Sequence, residues 1–204
     1  MKKIRVRKII LFSLLVIIFT GISLLFWYNE WVYSLPTPVP KNYRNIEKGD
    51  YIDIDQALKA EKNKPVFLHF FNPSCPCSKF NIPHFKSLVK QYGSKATFAV
   101  AVVSKDNYTE KEIQDKFDLT IPVLFDKSLA ASCGVYSTPQ AVILDGEHKL
   151  YFRGNYNKSR YCTEKKSNYA QMAMDSLLAN NPEPKFSQAA LKAYGCELPS
   201  NCKK

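Results

Sequence analysis

The chain has 204 residues and a formal net charge of +11 at pH 7, and this length allows one domain of ordinary size with appendages. Five of the positive charges lie within the first eight residues, and the others are scattered without a tight cluster. The charge therefore predicts a basic, solvated surface, and the absence of any nucleic-acid-binding motif argues against a nucleic-acid partner.

The first 28 residues differ from the rest of the chain. Residues 1–8 form a basic tip, and residues 9–28 are uncharged and rich in Ile, Leu and Phe, which is long enough to span a bilayer. The positive-inside rule predicts a single-pass inner-membrane protein with a cytoplasmic N-terminus and a periplasmic, or otherwise extracytoplasmic, C-terminal domain. A cleaved signal peptide is the alternative, but the run is long for an h-region and no small-x-small site follows.

Prolines mark the segment that follows the anchor. Because they stand at positions 36, 38 and 40, residues 29–49 are predicted to form a stiff, extended spacer between the membrane and the domain. The domain is predicted over residues 50–181. A C-terminal extension over residues 182–204 contains Cys196 and Cys202.

Hydrophobic periodicity and capping residues predict strands that alternate with helices inside this domain. Thr109 and Glu112 have the spacing of a capping box, and Gly146 marks the turn of a terminal hairpin. This order is typical of an α/β fold in which helices flank a sheet on both faces. The predicted helices cover 53–61, 79–92, 110–117, 128–133, 168–179 and 188–194, and the predicted strands cover 65–71, 95–103, 121–125, 141–145 and 149–153.

Cys75 and Cys77 lie where a buried strand turns into a helix, in residues 70–80. A helix N-terminus carries unpaired N–H groups and a partial positive charge, and both lower the pKa of a cysteine thiol. We therefore expect Cys75 to face solvent at the helix tip with a pKa below that of an ordinary thiol. A metal-binding pair and an inert pair are the alternatives to redox chemistry.

The same corner resembles the active site of the thioredoxin-like superfamily. Pro83, eight residues after Cys75, matches that superfamily's helix-kinking proline, and Thr138 with Pro139 resembles its cis-proline loop. Residues 149–154 resemble the final hairpin strand and its glycine. The resemblance spans roughly residues 50–180, and the nearest subgroup is the membrane-anchored TlpA-like and redoxin-like thiol–disulfide oxidoreductases. It implies a thioredoxin-like mixed sheet, protein thiols and disulfides as substrates, and no cofactor.

The chain departs from the superfamily at the cysteines, because one residue separates Cys75 from Cys77 where the usual motif has two. Alignment on Pro83 places Ser78 at the position of the usual second cysteine. Two mechanisms stay open. Cys75 and Cys77 either form a small, strained ring, which makes a disulfide more oxidising, or Cys75 works with a distant resolving cysteine.

Four further cysteines bring the total to six, and an extracytoplasmic location allows disulfides. Cys196 and Cys202 flank a turn-prone stretch and are the first choice for a structural bridge. Cys133 has the properties of a small buried hydrophobic residue. Cys162 follows Gly154 in a loop that the resemblance places beside the reactive corner, so it is a candidate partner of Cys75 or Cys133. The tail around Cys196 resembles that of some redoxin-like proteins, so Cys196 is a second candidate partner of Cys75.

His69 lies six residues before Cys75, in the predicted strand. The superfamily often has a buried acid there that moves protons, and a histidine is suited to that role because its pKa lies near neutrality. The alternative is a core histidine bonded to a backbone carbonyl. His84 supports a different hypothesis, a copper site with Cys75 and Cys77, although related copper chaperones have a longer cysteine spacing.

The sequence favours a membrane-tethered, extracytoplasmic thiol–disulfide oxidoreductase. In this hypothesis Cys75 is the nucleophile, Cys77 resolves the mixed disulfide and His69 transfers the proton. The resemblance implies that Thr138 and Pro139 present backbone groups to the substrate and shield the sulfurs from metals. The alternatives are a copper- or metal-handling module and a redox-inert, anchored interaction domain. Whether the enzyme acts as a reductase, an oxidase or an isomerase stays open at this point.

Overall fold

A computed structural model describes residues 2–61, 63–182 and 184–198. The chain divides into two compact units, and the boundary falls between Leu35 and Pro36. The first unit contains α1, which runs over Lys2–Ser34. Its Arg5–Trp31 segment is long and apolar enough to cross a membrane, with a mean hydropathy of 2.9, and it contains the predicted anchor 9–28.

The second unit contains a five-stranded mixed sheet with the strand order β3-β2-β1-β5-β6. Strands β1, β2 and β3 are parallel, whereas β5 runs antiparallel to β1 and β6 antiparallel to β5. The strands are β1 Val66–Phe71, β2 Thr97–Val102, β3 Val123–Leu124, β4 Ser137–Thr138, β5 Gln140–Leu144, β6 Leu150–Gly154 and β7 Cys196–Glu197. The helices of this unit are α2 Pro76–Tyr92, α3 Glu110–Phe117, α4 Lys127–Ser132, α5 Tyr169–Leu178 and α6 Gln188–Leu191.

The central strand β1 is buried along its whole length, because both faces of the sheet are covered. Its alternate side chains belong to two separate cores. Phe67 and Phe71 pack with α2, α3 and α5 on one face, and Leu68 and Phe70 pack with α4 on the other. The predicted α/β sheet with helices on both faces is thus confirmed.

The segments before β1 differ from a simple spacer followed by a helix. The helix predicted over 53–61 is a single turn at residues 55–57, because the N–H of Leu58 donates to the carbonyl of Ile54 but the N–H of Ala60 donates to that of Leu58, only two residues before it, which does not continue a helix. Residues 36–49, which the sequence assigned to a stiff, extended spacer over 29–49, belong to the second unit. Thr37 is buried there, and its backbone N–H donates to the carbonyl of Ala193 at 2.8 Å.

Candidate active site

Cys75 caps the N-terminus of α2, directly after β1. The loop between them is held by Asn72, whose side-chain oxygen accepts from the N–H of Ser74 and whose own N–H donates to Ser78 Oγ at 3.1 Å. The carbonyl of Asn72 also accepts from the N–H of Cys75 at 3.0 Å. Sequence reasoning overlooked Asn72, which fixes the position of Cys75 from both sides of the turn.

Cys75 is fully buried, so the expectation that it faces solvent was wrong. It forms a disulfide with Cys196, which lies 121 residues away in the sequence. Cys196 belongs to the short strand β7, which pairs antiparallel with β4 opposite Thr138. The C-terminal segment therefore covers the first turn of α2.

Cys77 is a buried thiol in the first turn of α2 and is not part of this disulfide. Its sulfur lies within 4.8 Å of the sulfurs of both Cys75 and Cys196. We call Cys75, Cys77 and Cys196 the cysteine trio. No acidic residue lies in the first turn of α2, so no carboxylate there opposes the positive end of the helix.

Thr138 and Pro139 lie opposite the start of α2, and the peptide bond between them is cis. Thr138 is buried in β4 and pairs with Cys196. The cis-proline loop and the trio thus share one corner of the sheet. The structure brings together the two parts of the chain on which the family resemblance rested.

His69 is fully buried in the middle of β1, stacked between the rings of Phe71 and Phe85. Its Nδ1 shares a hydrogen bond of 2.7 Å with the hydroxyl of Tyr156. Burial lowers the pKa of His69 to about 3, so the ring is neutral at physiological pH. Its hydrogen-bond partner is a side chain that sequence reasoning missed, since Tyr156 lies 87 residues away.

The two other cysteines in the described residues lie apart from the trio, and we call them the buried thiols. Cys133 is fully enclosed in the core beneath α4, and burial raises its pKa to about 12. Cys162 donates its thiol proton to Asn81 Oδ1 at 2.9 Å, and burial also raises its pKa to about 12. Neither Cys162–Cys75 nor Cys162–Cys133 pairing occurs in the structure.

The tail bridge that the sequence favoured is not the pairing found here, because Cys196 is bonded to Cys75. This is the pairing for which the resemblance made Cys196 the second candidate partner of Cys75. Cys202 lies outside the described residues. The sequence did contain a signal for the observed arrangement. Gly195 precedes Cys196, and a Cβ at this glycine would overlap the carbonyl oxygen of Thr138, so the tail approaches β4 closely only where glycine stands.

His84 does not join the sulfurs. Among the described residues, the group of His, Cys, Asp and Glu side chains close enough to share a metal ion is the cysteine trio alone. His84 instead packs edge-on against Tyr156, and burial lowers its pKa. The predicted copper site with a histidine ligand is therefore not assembled here.

Comparison with known proteins places this site in context. Two curated relatives match about half of the chain. Thioredoxin-like protein YneN of Bacillus subtilis strain 168 is 31% identical over 93 residues, covering 44% of this chain and 55% of the relative. Thiol-disulfide oxidoreductase ResA of Bacillus thuringiensis subsp. konkukian strain 97-27 is 30% identical over 97 residues, covering 46% and 56%. This chain thus spans about half the length of the curated relatives it matches.

The fold has counterparts among solved structures. The hypothetical protein SMc02350 from Sinorhizobium meliloti 1021 matches with a TM-score of 0.63 at 15% identity, over 78% of this chain and 97% of that one. The resemblance to the thioredoxin-like superfamily is confirmed. A family model described as "Domain of unknown function (DUF6436)" matches residues 45–198. Because that match covers most of the sequence, the chain belongs to the DUF6436 family and has a thioredoxin-like fold.

Proposed function

We propose that this protein is a membrane-tethered, extracytoplasmic thiol–disulfide oxidoreductase that acts through Cys75. One observation carries the proposal. A disulfide at the N-terminus of α2 lies within 4.8 Å of a third sulfur, that of Cys77, so a thiol and a disulfide stand side by side. Thiol–disulfide exchange needs this arrangement, in which a thiolate attacks a neighbouring disulfide sulfur.

Each exchange step conserves electrons. A thiolate attacks Cys75 in its disulfide, a new S–S bond forms to Cys75, and the displaced cysteine leaves as a thiolate. With an external client as the partner of Cys75, Cys77 resolves the mixed disulfide by the same attack. Cys196 is the second candidate resolver, because it is the cysteine bonded to Cys75 in this structure.

The surroundings support this assignment of roles. In the proposal, Thr138 and Pro139 present backbone groups to the polypeptide that is bonded to Cys75, as β4 does to β7 here. His69 favours the neutral form so strongly that a proton held on its ring is costly. We therefore assign His69 a positioning role through Tyr156 and α2, in place of the proton transfer that the sequence suggested.

The test is a redox titration of the full chain in detergent, with mass spectrometry to map the disulfides at each potential. The proposal expects a reversible two-electron transition that converts Cys75–Cys196 to thiols, and exchange with a small model disulfide. Absence of both would reject the oxidoreductase in favour of a domain without redox activity, either a metal-binding module or an anchored interaction domain.

The location of the domain is part of the proposal. The apolar Arg5–Trp31 segment and the basic tip before it favour a single inner-membrane span with the site outside the cytoplasm. A reporter enzyme fused after residue 204 should then be active only in the extracytoplasmic compartment. Cytoplasmic activity of the same fusion would overturn both the topology and the compartment in which the disulfide forms.

A second candidate function, binding of a soft metal ion, is favoured by the gathering of three sulfurs within 4.8 Å of one another. Reduced to thiolates, the trio offers the ligands that Cu(I) and Zn(II) prefer. Competition against a Cu(I) chelator would measure binding by the reduced chain, with Cys162→Ser as the matched control. Stoichiometric binding that is lost in Cys196→Ser supports this function, and no binding by the wild type removes it.

A further inference from the structure

The C-terminal segment 193–198 lies against β4 as an added strand. Its register pairs Ser137 with Glu197 and Thr138 with Cys196, and the N–H of Leu198 donates to the carbonyl of Tyr136 at 3.3 Å. Its cysteine is at the same time bonded to Cys75. An extended strand with one cysteine in disulfide linkage to the nucleophile has the chemistry of a mixed disulfide with a client protein.

The position before the cysteine tolerates glycine alone. A Cβ on Gly195 would overlap the carbonyl oxygen of Thr138 and lie 2.9 Å from Ser137 Oγ. Both contacts involve β4 itself, so any polypeptide that takes this path meets the same restriction. The surface of β4 therefore selects for glycine before the cysteine.

The second position after the cysteine of the tail is apolar. Leu198, two residues beyond Cys196, packs against the core cluster that contains Val103, Ala130 and Val135. It also forms one wall of a cavity of about 500 Å³, which these residues line together with Lys105 and Lys127. An extended strand places alternate side chains on the same side, so the residue two places after a client's cysteine would take the place of Leu198 against these apolar side chains. The site thus has a defined requirement on each side of the cysteine.

A second segment of the chain holds the tail in place. Thr37 Oγ1 donates to the carbonyl of Gly195 at 3.1 Å and lies 2.9 Å from Ser137 Oγ, and the N–H of Thr37 donates to the carbonyl of Ala193 at 2.8 Å. The tail is therefore enclosed between β4 and the segment that follows the anchor. An external polypeptide reaches β4 only after the tail has left.

We propose that segment 193–198 is an internal client. It occupies the site at which this protein binds an external partner, and that partner is an extended polypeptide with a glycine before its reactive cysteine and an apolar residue two places after it. The inference rests on the proposed function, because it requires Cys75 to exchange disulfides. It adds to that function a partner specificity and a tail that blocks the site.

The release of the tail needs no external oxidant or reductant. The Cys77 thiolate attacks the sulfur of Cys75, the Cys75–Cys196 bond breaks, a Cys75–Cys77 bond forms, and Cys196 leaves as a thiolate that takes a proton from solvent. The distance of at most 4.8 Å between these sulfurs brings the attack within reach. The tail is then held by hydrogen bonds alone and can give way to a client.

The experiment follows a peptide with the sequence Ala-Tyr-Gly-Cys-Glu-Leu, activated as a mixed disulfide with 5-thio-2-nitrobenzoate. Attack by Cys75 releases the coloured thiolate and leaves the peptide on the protein. The protein is the reduced full chain carrying Cys77→Ser and Cys196→Ser, with or without Gly195→Val. The matched control peptide has valine in place of its glycine, and both peptides are calibrated against free glutathione.

We expect the glycine peptide to react with Cys75 at least ~10-fold faster than the valine peptide, because the added side chain overlaps β4. We also expect Gly195→Val to accelerate capture of the glycine peptide, because the tail then vacates the site. Thr37→Val is the second variant for the case that Gly195→Val fails to fold, since it removes a tail hydrogen bond without adding bulk at β4.

The outcomes separate the two proposals. Equal rates for both peptides, with Cys75 still attacking a small activated disulfide, would overturn the internal client and leave the oxidoreductase intact. No attack on the peptides or on the small disulfide would reject the oxidoreductase itself. A glycine preference that is unaffected by both tail variants would contradict the blocking role of the tail.

Discussion

The cysteine trio and the buried thiols show how differently one fold treats the same side chain. Cys75, Cys77 and Cys196 meet at a helix N-terminus beside a loop, within 4.8 Å of one another. Cys133 is enclosed in one core and Cys162 is partly buried against the other, and burial raises the pKa of each to about 12. All five are part of the same small domain, so sequence context alone does not separate them.

The comparison shows that a thiol can be buried in two ways, beneath a detachable segment or within the hydrophobic core. The trio is buried beneath a tail that is held by one disulfide and a few hydrogen bonds, so opening it requires local movement only. Cys133 is covered by the hydrophobic core, and exposing it requires much of the domain to unfold, whereas Cys162 is partly buried against the core on the other face of the sheet and is held by its hydrogen bond to Asn81. We therefore expect reactivity to follow the kind of cover and not the exposed area.

The largest expected effect is the loss of exchange when the nucleophile of the trio is removed. Cys75→Ser should lower the rate of exchange with a model disulfide by on the order of 10³ or more, because a serine hydroxyl does not replace a thiolate. Cys162→Ser is the matched control and should leave the rate within a factor of about 2. A Cys162→Ser variant as inactive as Cys75→Ser would erase the distinction between the two groups.

Alkylation should sharpen the comparison. At pH 7.5 the reduced native chain should incorporate iodoacetamide at Cys133 and Cys162 about 1,000-fold more slowly than an unfolded control, since a pKa of about 12 leaves almost no thiolate. The trio should label within the first minutes. Peptide mass mapping after a timed pulse measures both, and early labelling of Cys133 would show that its cover is not the core.

The third prediction divides the trio itself. In the reduced chain, where Cys75 is not bonded to Cys196, Cys77→Ser should leave Cys75 able to attack client disulfides, so mixed disulfides with client proteins should accumulate by about 10-fold on non-reducing gels. Cys133→Ser should trap none, because Cys133 belongs neither to the disulfide nor to the group of three sulfurs within 4.8 Å of one another. Normal turnover of Cys77→Ser would transfer the resolving role to Cys196, and trapping by Cys75→Ser would reverse the assignment of the nucleophile.

The smallest effect is a pH dependence of the free energy of unfolding. It arises from His69, whose ring packs in the core cluster against which Cys162 also packs. The pKa of His69 is about 3 in the folded chain and about 6.5 when unfolded, so the folded state disfavours its protonation. Its contribution is complete above pH 6.5 and is lost as pH falls towards 3. Between pH 7 and pH 5 this should cost about 2 kcal/mol of unfolding free energy.

Urea unfolding at the two pH values measures this cost. His69→Phe keeps an aromatic ring in the stack but cannot be protonated, so its stability should fall less over the same interval. Burial also lowers the pKa of His84, which acts in the same direction and leaves a residual slope. A slope unchanged by His69→Phe would place the pH dependence elsewhere.

Local features of the sequence were enough to predict the elements that present Cys75. The apolar segment before it is β1, the periodic segment after it is α2, and Thr109 with Glu112 forms the predicted capping box at α3. Apolar runs, helical spacing and caps act over a few residues, so a sequence shows them directly. The apolar N-terminal helix was predicted for the same reason.

Only the tertiary structure decided which distant residues contact the residues of the site. The bond from Cys75 to Cys196, the hydrogen bond from His69 to Tyr156 and the packing of Thr37 against the tail join residues that are 121, 87 and more than 100 positions apart. Six cysteines allow 15 pairings, and no local rule ranks contacts of that separation. The sequence determined that a cysteine stands at a helix N-terminus. The packing of the whole domain determined which sulfur meets it, because that depends on where distant strands come to lie.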